Sequence, residues 1–291
     1  QLINREKGLQ NNTILSMYLD LDENLWLGLD NGIDYVELNS PITLLQDYYD
    51  FGTGYTSINF NDKIYLGTNQ GLFYCNSSDF KNSKLSSSDF KMVENTSGQV
   101  WNLQIIEDQL YCGHNNGSFL IKENKGILLN NSPGCWAYTK IPGSANLYIE
   151  GTYSGMELCK IENGIMKHLY HIKGINYSCQ ELECIEEGKI WVSHAFKGVS
   201  LFQLKSNSDS LVLIKKYEES DGLPSTGFNK IKKMTNGDIL LSTPVGIYQY
   251  NSSSDIFYKS KYYNNLLHDK PIQYLQEDEN NNIWYVCSNG E

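Results

Sequence analysis

The side chains with the clearest capacity for chemistry are aromatic rings that lie near amides, imidazoles and lysines. Trp101 and Trp136 each stand at the start of a strand-like segment, and Tyr, Asn and His residues recur at similar places along the chain. Aromatic faces stack on the CH faces of sugars, and neighbouring amides and charged groups bind hydroxyls. This pattern favours recognition of a sugar. The alternative is that the two tryptophans only fill the centre of a core.

Carboxylates are the next candidates, since glycoside hydrolysis needs two of them held across one bond. Asp and Glu total 34, but most lie in turns, such as Asp20, Asp22 and Glu23, where carboxylates cap backbone amides or face solvent. No serine stands in a nucleophile elbow, and no glycine-rich phosphate loop opens a helix. We predict no catalytic residue, no enzyme activity in this segment and no cofactor. A lyase or hydrolase is the less favoured alternative.

The residues that could bind a metal do not form a known ligand pattern. Among the five histidines, His168 and His171 lie three residues apart, which we interpret as surface placement. The seven cysteines are scattered and include no CxxC pair, so packed thiols are favoured over a disulfide or a zinc site. We therefore predict no metal site.

The charge balance limits the partners. The formal net charge is −11, and basic residues form only short pairs such as Lys232 and Lys233. Nucleic acid and anionic membranes are therefore poor partners. No window of about eighteen apolar residues is present, so we predict no membrane contact by this segment. The chain opens at Gln1 with neither Met nor a signal-peptide pattern, which we interpret as excision from a longer protein.

A repeat of about 40 residues organises the whole chain. Its first copy reads Leu25, Trp26, Leu27, Gly28 and, after three further residues, Gly32. Seven copies end in a glycine, and successive glycines lie 38 to 48 residues apart. These glycines are Gly32, Gly71, Gly117, Gly155, Gly198, Gly246 and Gly290. A glycine at this place indicates a positive φ or a close backbone approach.

Each copy predicts four antiparallel strands. Apolar segments such as Ile14 to Leu19 and Gln99 to Ile106 alternate with Asp, Asn and Gly turns, and a more polar strand is predicted at Leu211 to Tyr217. A four-stranded sheet cannot bury both faces alone, and packing of repeated sheets around an axis supplies the core. The predicted fold class is therefore all-β, a β-propeller of about seven four-stranded blades with the last blade incomplete. Residues 1–291 are predicted to form this single domain, and a linear β-solenoid is the alternative.

Two places in a propeller lie on one face around the central channel: the start of each innermost strand and the link before each repeat glycine. Our candidate ligand-binding residues come from these places. They are Tyr55, Trp101, Trp136 and Tyr274 at strand starts, and His114, Asn115, Asn116, His194 and Lys197 in the links. The same places also hold Tyr153, Tyr177 and Phe196.

The repeat resembles that of a known family. Its order of Asp, turn residues, apolar residue, Trp, apolar residue, Gly, three residues and Gly, as in Asp22 to Gly32, is similar to the two-component regulator propeller repeat. The connector Asp221 to Ser225 is similar too, and residues 30–41 look like the junction from a first propeller into a second. The chain therefore resembles the second propeller in the periplasmic sensor region of a Bacteroides-type hybrid two-component regulator.

This resemblance implies a periplasmic portion of an inner-membrane protein that recognises or transmits an oligosaccharide signal and so regulates transcription. It also implies a neighbouring propeller and a β-sandwich domain in the same chain, a homodimer of the full-length receptor, and histidine kinase activity elsewhere in that protein. The alternative function is a passive scaffold for dimer or inter-propeller contacts.

Overall fold

A computed structural model of the chain describes residues 3–5, 8–38, 51–81, 89–205, 209–225, 227–268, 270–278 and 280–287. The chain divides into two compact units, Gln1–Tyr49 and Asp50–Glu291. The repeat glycine Gly290 and the last part of the junction-like segment, residues 39–41, lie outside the described residues. Both units consist mainly of antiparallel β-sheets.

The first unit contains a three-stranded antiparallel sheet. Its strands are β1 (Ile14–Leu19), β2 (Leu25–Leu29) and β3 (Ile33–Val36), in that order across the sheet. Leu9, Leu27 and Leu29 form a small buried cluster beside it. The bounds of β1 are those predicted from the apolar pattern.

The second unit contains six antiparallel sheets in which each strand pairs with the next one along the chain. The first of them has β4 (Gly54–Phe60), β5 (Lys63–Thr68), β6 (Leu72–Asn76) and β7 (Lys91–Met92). The next has β8 (Val100–Ile106), β9 (Gln109–His114), β10 (Gly117–Lys122) and β11 (Lys125–Asn130). The third has β12 (Ala137–Lys140), β13 (Leu147–Thr152), β14 (Gly155–Glu162) and β15 (Ile165–Ile172).

The remaining sheets of this unit follow the same plan. The fourth has β16 (Glu181–Cys184), β17 (Lys189–His194), β18 (Gly198–Leu204) and β19 (Leu211–Tyr217). The fifth has β20 (Lys230–Lys233), β21 (Ile239–Thr243), β22 (Gly246–Asn251) and β23 (Ile256–Lys259), and the described part of the sixth has β24 (Ile272–Glu277) and β25 (Ile283–Cys287). Two short helices, α1 (Ser77–Lys81) and α2 (Lys261–Leu266), lie in connections between strands.

The first strand of each sheet, which we call the inner strand, contacts the inner strand of the next sheet. This series runs through β4, β8, β12, β16, β20 and β24. Hydrophobic clusters lie between successive sheets of the second unit, so its four middle sheets bury one face against the sheet before and the other against the sheet after. All seven cysteines are buried and free, which confirms packed thiols. Repeated sheets thus supply each other's core, as the repeat predicted.

In the six sheets whose third strand is described, the link between the second and third strands ends at the repeat glycine. Gly117 has a φ of 130°, a conformation that L-residues with a Cβ rarely adopt. A Cβ at this position would also overlap with the carbonyl oxygen of Asn130, at the end of β11. The predicted reasons for glycine, positive φ and close backbone approach, are both present here. Gly71 is an exception, because its φ is not in the left-handed region.

Replacing Gly117 with alanine is expected to lower the free energy of unfolding by about 2 kcal/mol, because the new methyl group is strained by φ and meets Asn130. Urea denaturation measures this loss. Gly54→Ala is the matched control, since a methyl group at Gly54 would meet no other atom within 4 Å. Equal losses in the two variants would contradict a special role for the repeat glycine.

The Asp turn of the repeat is a hydrogen-bonded unit in both the first and the last sheet. Asp20 accepts from the backbone N–H of Asp22 and Asn24 at 3.0 and 2.9 Å, and from Trp26 Nε1 at 3.0 Å. Asp278 accepts from Trp284 Nε1 at 2.9 Å in the same way. These bonds lower the pKa of Asp20, and those from Trp284 and Asn282 lower the pKa of Asp278 to about 2. Both carboxylates therefore cap turns.

Candidate functional site

Two β-bulges place aromatic side chains at the starts of neighbouring inner strands. In β4 the pairing with β5 skips from Gly54 to Thr56, so Tyr55 is the extra residue. In β8 the pairing with β9 skips from Val100 to Asn102, so Trp101 is the extra residue. A bulge re-aims the side chain of its extra residue. The same device therefore presents Tyr55 and Trp101 side by side.

These two rings belong to a continuous group with Trp136 and Tyr153, which we call the aromatic cluster. The Tyr55 and Trp101 rings are stacked with centroids 4.9 Å apart, and Trp101 and Trp136 lie 4.4 Å apart. The Tyr153 ring is 5.3 Å from that of Trp136, and its hydroxyl accepts a 2.9 Å hydrogen bond from Trp101 Nε1. Tyr55 remains 43% and Tyr153 37% exposed, so the cluster is reachable from solvent.

Tyr153 was not selected from the sequence, although it stands in a link position. Its ring lies against Gly134, where a Cβ would overlap with it, and Gly134 has a φ of 80°. The backbone N–H of Tyr153 donates to Pro133 O at 3.1 Å. Burial raises the pKa of the Tyr153 hydroxyl, so this group stays protonated and can both donate and accept.

His114 and His194 cap the links and are held by backbone amides. His114 Nδ1 accepts from Asn116 N at 3.0 Å, and His194 Nδ1 accepts from Phe196 N at 3.0 Å. Threonine hydroxyls bind the same turn in three other sheets; these are Thr68, Thr152 and Thr243. His114 is 0% exposed, so its side chain does not face solvent. Burial lowers the pKa of both imidazoles, with Lys197 as a further cause at His194.

Asn115 ties its link to the segment that precedes the aromatic bulge. Its Oδ1 accepts from Gln99 N at 2.9 Å, and its own N–H donates to Gln99 O at 2.9 Å. Its Nδ2 donates to Asn116 Oδ1 at 3.2 Å. Asn116 itself is exposed. Asn115 therefore positions the start of β8, while Asn116 is free to face a ligand.

A second group of rings, the Phe cluster, lies in the next two sheets and consists of Tyr177, His194, Phe196 and Phe228. The centroids of Phe196 and Phe228 are 5.5 Å apart, edge to face, and these side chains are 80% and 63% exposed. Phe228 has a φ of 56°, and its N–H donates to Ala195 O at 3.0 Å. Such a backbone conformation is costly for a bulky residue. The loop is therefore held in place with its phenyl ring in solvent.

Lys197 and Tyr274, both predicted from the sequence as ligand-binding residues, lie outside the aromatic cluster. Lys197 Nζ stands 4.3 Å from the centroid of the Tyr177 ring, next to the Phe cluster. Tyr274, on β24, is 46% exposed and lies 5.7 Å from Lys230 Nζ. The structure thus groups Tyr55, Trp101 and Trp136 in the aromatic cluster, and it places Lys197 beside the Phe cluster, which contains His194.

His168 and His171 bind a buried carboxylate that sequence reasoning missed. His168 Nε2 is 2.7 Å from Glu157 Oε2, and His171 Nδ1 is 3.0 Å from Glu157 Oε1. The two imidazoles are partly exposed, as predicted, whereas the Glu157 side chain is only 4% exposed. Ser132 Oγ donates to Glu157 Oε1 at 3.1 Å. The group satisfies a buried charge between two sheets.

The described part of the chain contains neither a candidate metal site nor a candidate membrane-spanning helix. Within these ranges, no group of His, Cys, Asp and Glu side chains is arranged to bind one metal ion. None of the described helices is both long and apolar enough to span a bilayer.

No protein-family model and no curated protein matches the sequence. Solved structures do match the fold. The WD40 β-propeller domain of Doa1 aligns with a TM-score of 0.57 at 15% identity, over 94% of this chain and 86% of that one. The fold is a β-propeller. Its described sheets number seven, of which five have four strands.

Extracellular domains of hybrid two-component systems from B. thetaiotaomicron also match this propeller. One aligns with a TM-score of 0.49 at 17% identity, over 98% of this chain and 40% of that one. A second aligns with a TM-score of 0.39 at 16% identity, over 97% of this chain and 35% of that one. The propeller spans less than half the length of these two domains.

Proposed function

We propose that this propeller is a recognition domain in the periplasmic part of a membrane-spanning signalling regulator, and that it binds an oligosaccharide on the aromatic cluster. The domain itself carries out no catalysis in this proposal, and the bound state is transmitted to the rest of the receptor. Its resemblance to two-component regulator propellers supports the cellular setting. The geometry of the cluster supports the ligand.

The observation that carries the proposal is the uninterrupted contact of Tyr55, Trp101, Trp136 and Tyr153. Three ring-to-ring contacts of 4.4 to 5.3 Å join them. Two bulges and one glycine contact hold rings from three sheets in this arrangement. Pre-ordered rings offer a large contact area at little entropic cost. The hydroxyl of Tyr153 accepts from Trp101 Nε1 and keeps its own proton, which it can donate to a sugar hydroxyl.

A passive scaffold is the second candidate, and the Phe cluster favours it. Phe196 and Phe228 expose adjacent phenyl rings, and exposed apolar groups of this kind are typical of protein contacts. In that function the neighbouring propeller, the β-sandwich domain or the second receptor of a homodimer would cover them. The two functions use different residues, so mutations separate them.

Trp101→Ala is expected to weaken oligosaccharide binding about 30-fold, a loss of about 2 kcal/mol, because it removes the central ring of the cluster. Isothermal titration calorimetry of the chain against a panel of plant and host oligosaccharides measures this change. Thermal shifts on the same panel report the stabilisation that a ligand of the folded state must cause.

Trp284→Ala is the matched control, since Trp284 is 63% exposed and lies on β25, away from the aromatic cluster's strands. It is expected to leave the dissociation constant unchanged. The proposal fails if the unmodified chain and a longer ectodomain bind no member of the panel, or if folded Trp101→Ala binds as tightly as the parent. Release of shortened sugars, detected by chromatography, would instead indicate a lyase or hydrolase.

A further inference from the structure

Two glutamates and two lysines on neighbouring inner strands form a set of ion pairs that the proposed binding surface does not use. Glu181 and Glu183 lie on β16, and Lys230 and Lys232 lie on β20. Lys230 Nζ is 3.6 Å from Glu181 Oε1, and Lys232 Nζ is 3.6 Å from Glu183 Oε1. We call these four side chains the charge ladder.

Side chains alternate in direction along each strand, and the side chains of the charge ladder point away from the hydrophobic core. Successive side chains of a strand point to opposite sides. The residues that alternate with the ladder residues along the two strands are buried in the clusters between sheets; they are Leu182, Cys184 and Ile231. The ladder side chains keep between 17% and 37% of their surface exposed. They are therefore half-buried groups that solvent still reaches.

The ladder pairs are longer than the tightest described ion pairs of the chain and similar in length to Lys125–Glu94 at 3.4 Å and Lys216–Glu218 at 3.7 Å. Charged N–H···O bonds are ordinarily about 2.7–2.9 Å long. Lys173 pairs with Asp209 at 2.6 Å and Lys167 with Glu162 at 2.9 Å, whereas both ladder pairs are 3.6 Å apart. The ladder ammonium and carboxylate groups attract one another but keep hydrogen-bonding capacity for a third group.

Glu181 and Lys230 of the charge ladder occupy the same register position on their inner strands as Asn102, next to the aromatic cluster, does on β8. Asn102 directly follows the bulge residue Trp101, and it pairs with the penultimate residue of β9. Glu181 and Lys230 pair with the penultimate residues of β17 and β21. These pairs are Asn102–Gly113, Glu181–Ser193 and Lys230–Ser242. The inner strands β8, β12, β16 and β20 contact one another in sequence, so one ligand lying across them can meet both groups.

The chemistry of an open ion pair fits vicinal hydroxyls. One sugar hydroxyl can donate to the carboxylate while its neighbour accepts from the ammonium. Each ladder ammonium is already paired with a glutamate, so an added carboxylate would have to compete with Glu181 or Glu183 and would be repelled by it at close range. Burial removes part of the hydration of each glutamate carboxylate and thereby raises the pKa of both.

We infer that the charge ladder is a polar subsite beside the aromatic cluster and that it selects neutral, hydroxyl-rich oligosaccharides over acidic ones. This inference rests on the proposed function and adds the class of ligand. The rings supply contact area, and the four charged groups distinguish a hydroxyl from a carboxylate.

The test compares matched neutral and acidic probes. Calorimetry measures dissociation constants for cellotetraose, maltotetraose and β-1,4-galactotetraose, and for the uronate form of each in which C6 is oxidised. Glu181→Gln combined with Glu183→Gln is expected to reduce the preference for the neutral form at least about tenfold, because the repulsion is removed. Glu162→Gln combined with Asp209→Asn is the matched control. It removes the same charge from exposed pairs and is expected to change the preference less than about twofold.

A second pair of variants separates binding from folding. Lys230→Met is expected to weaken the neutral probe about tenfold. Glu181→Lys combined with Lys230→Glu restores an ion pair and is expected to recover most of that loss. Equal preference changes in the ladder and control variants, with neutral probes still bound and Trp101→Ala still harmful, would overturn the subsite and leave the proposed function intact. Absence of binding to all probes by the parent chain and the longer ectodomain would overturn both.

Discussion

Replacing Trp191 with alanine is expected to lower the free energy of unfolding by about 4 kcal/mol, which urea denaturation would measure. Trp191 is 0% exposed and lies between two successive sheets. Its ring contacts those of Tyr217, Tyr250 and Phe257 at 5.0, 4.9 and 5.6 Å. Truncation leaves a cavity that rings fixed by strands cannot fill, so the cost exceeds that of transferring the indole to water.

The Trp284→Ala variant is the control for this loss as well. It deletes the same atoms from a side chain that is 63% exposed, so we expect a loss of about 1 kcal/mol or less. Trp191→Phe is expected to lie between the two, because a phenyl ring fills part of the volume and removes the buried indole N–H, for which the described residues offer no hydrogen-bond partner. A similar loss for Trp191→Ala and Trp284→Ala would show that the sheets repack to fill the cavity.

Glu150→Gln is expected to make the chain about 3 kcal/mol more stable at pH 8 and to change its stability little near pH 4.5. Glu150 is 1% exposed on β13. Burial raises its pKa from 4.5 to about 7, against the opposing effect of polar neighbours that include Cys159, whose Sγ donates to Glu150 Oε2. The neighbouring Glu157 adds a smaller upward effect.

The direction follows from proton binding. Between pH 4.5 and 7 the unfolded chain releases the Glu150 proton while the folded chain retains it, so this residue's contribution to stability falls as pH rises. Glutamine carries no proton to lose, and the variant therefore lacks this decline. Unfolding free energies from pH 4.5 to 8 measure the difference. Glu162→Gln, at an exposed pair, is the control, and parallel pH profiles for Glu150→Gln and the parent would refute the prediction.

The bounds of a strand could be predicted from the sequence where they depend on the residues of that strand alone. Ile14–Leu19 and Leu211–Tyr217 have the predicted bounds, because alternation and turn residues are local properties. The bulges at Tyr55 and Trp101 could not be predicted. An extra residue is defined only by the partner strand, and the register of a pair does not appear in either segment alone.

The site was predictable in part for a related reason. Trp101 and Trp136 were predicted as candidates because large rings stand at strand starts, and the structure brings these two rings into contact. His114 was chosen because an imidazole indicates chemistry, yet three other repeats carry threonine at the same place, as Thr68, Thr152 and Thr243 show. Comparison of these repeats would have identified His114 as a residue that caps a turn. The charge ladder was missed, although Glu181 and Glu183 alternate with apolar residues in a predicted inner strand.

The contact between Trp101 and Trp136 has an optical consequence. Two indoles with centroids 4.4 Å apart couple their electronic transitions, and the coupling gives a paired positive and negative band in circular dichroism. The band depends on the angle between the rings, and it vanishes when either indole is removed. The domain thus carries a label-free spectroscopic reporter at the very surface on which a sugar would stack.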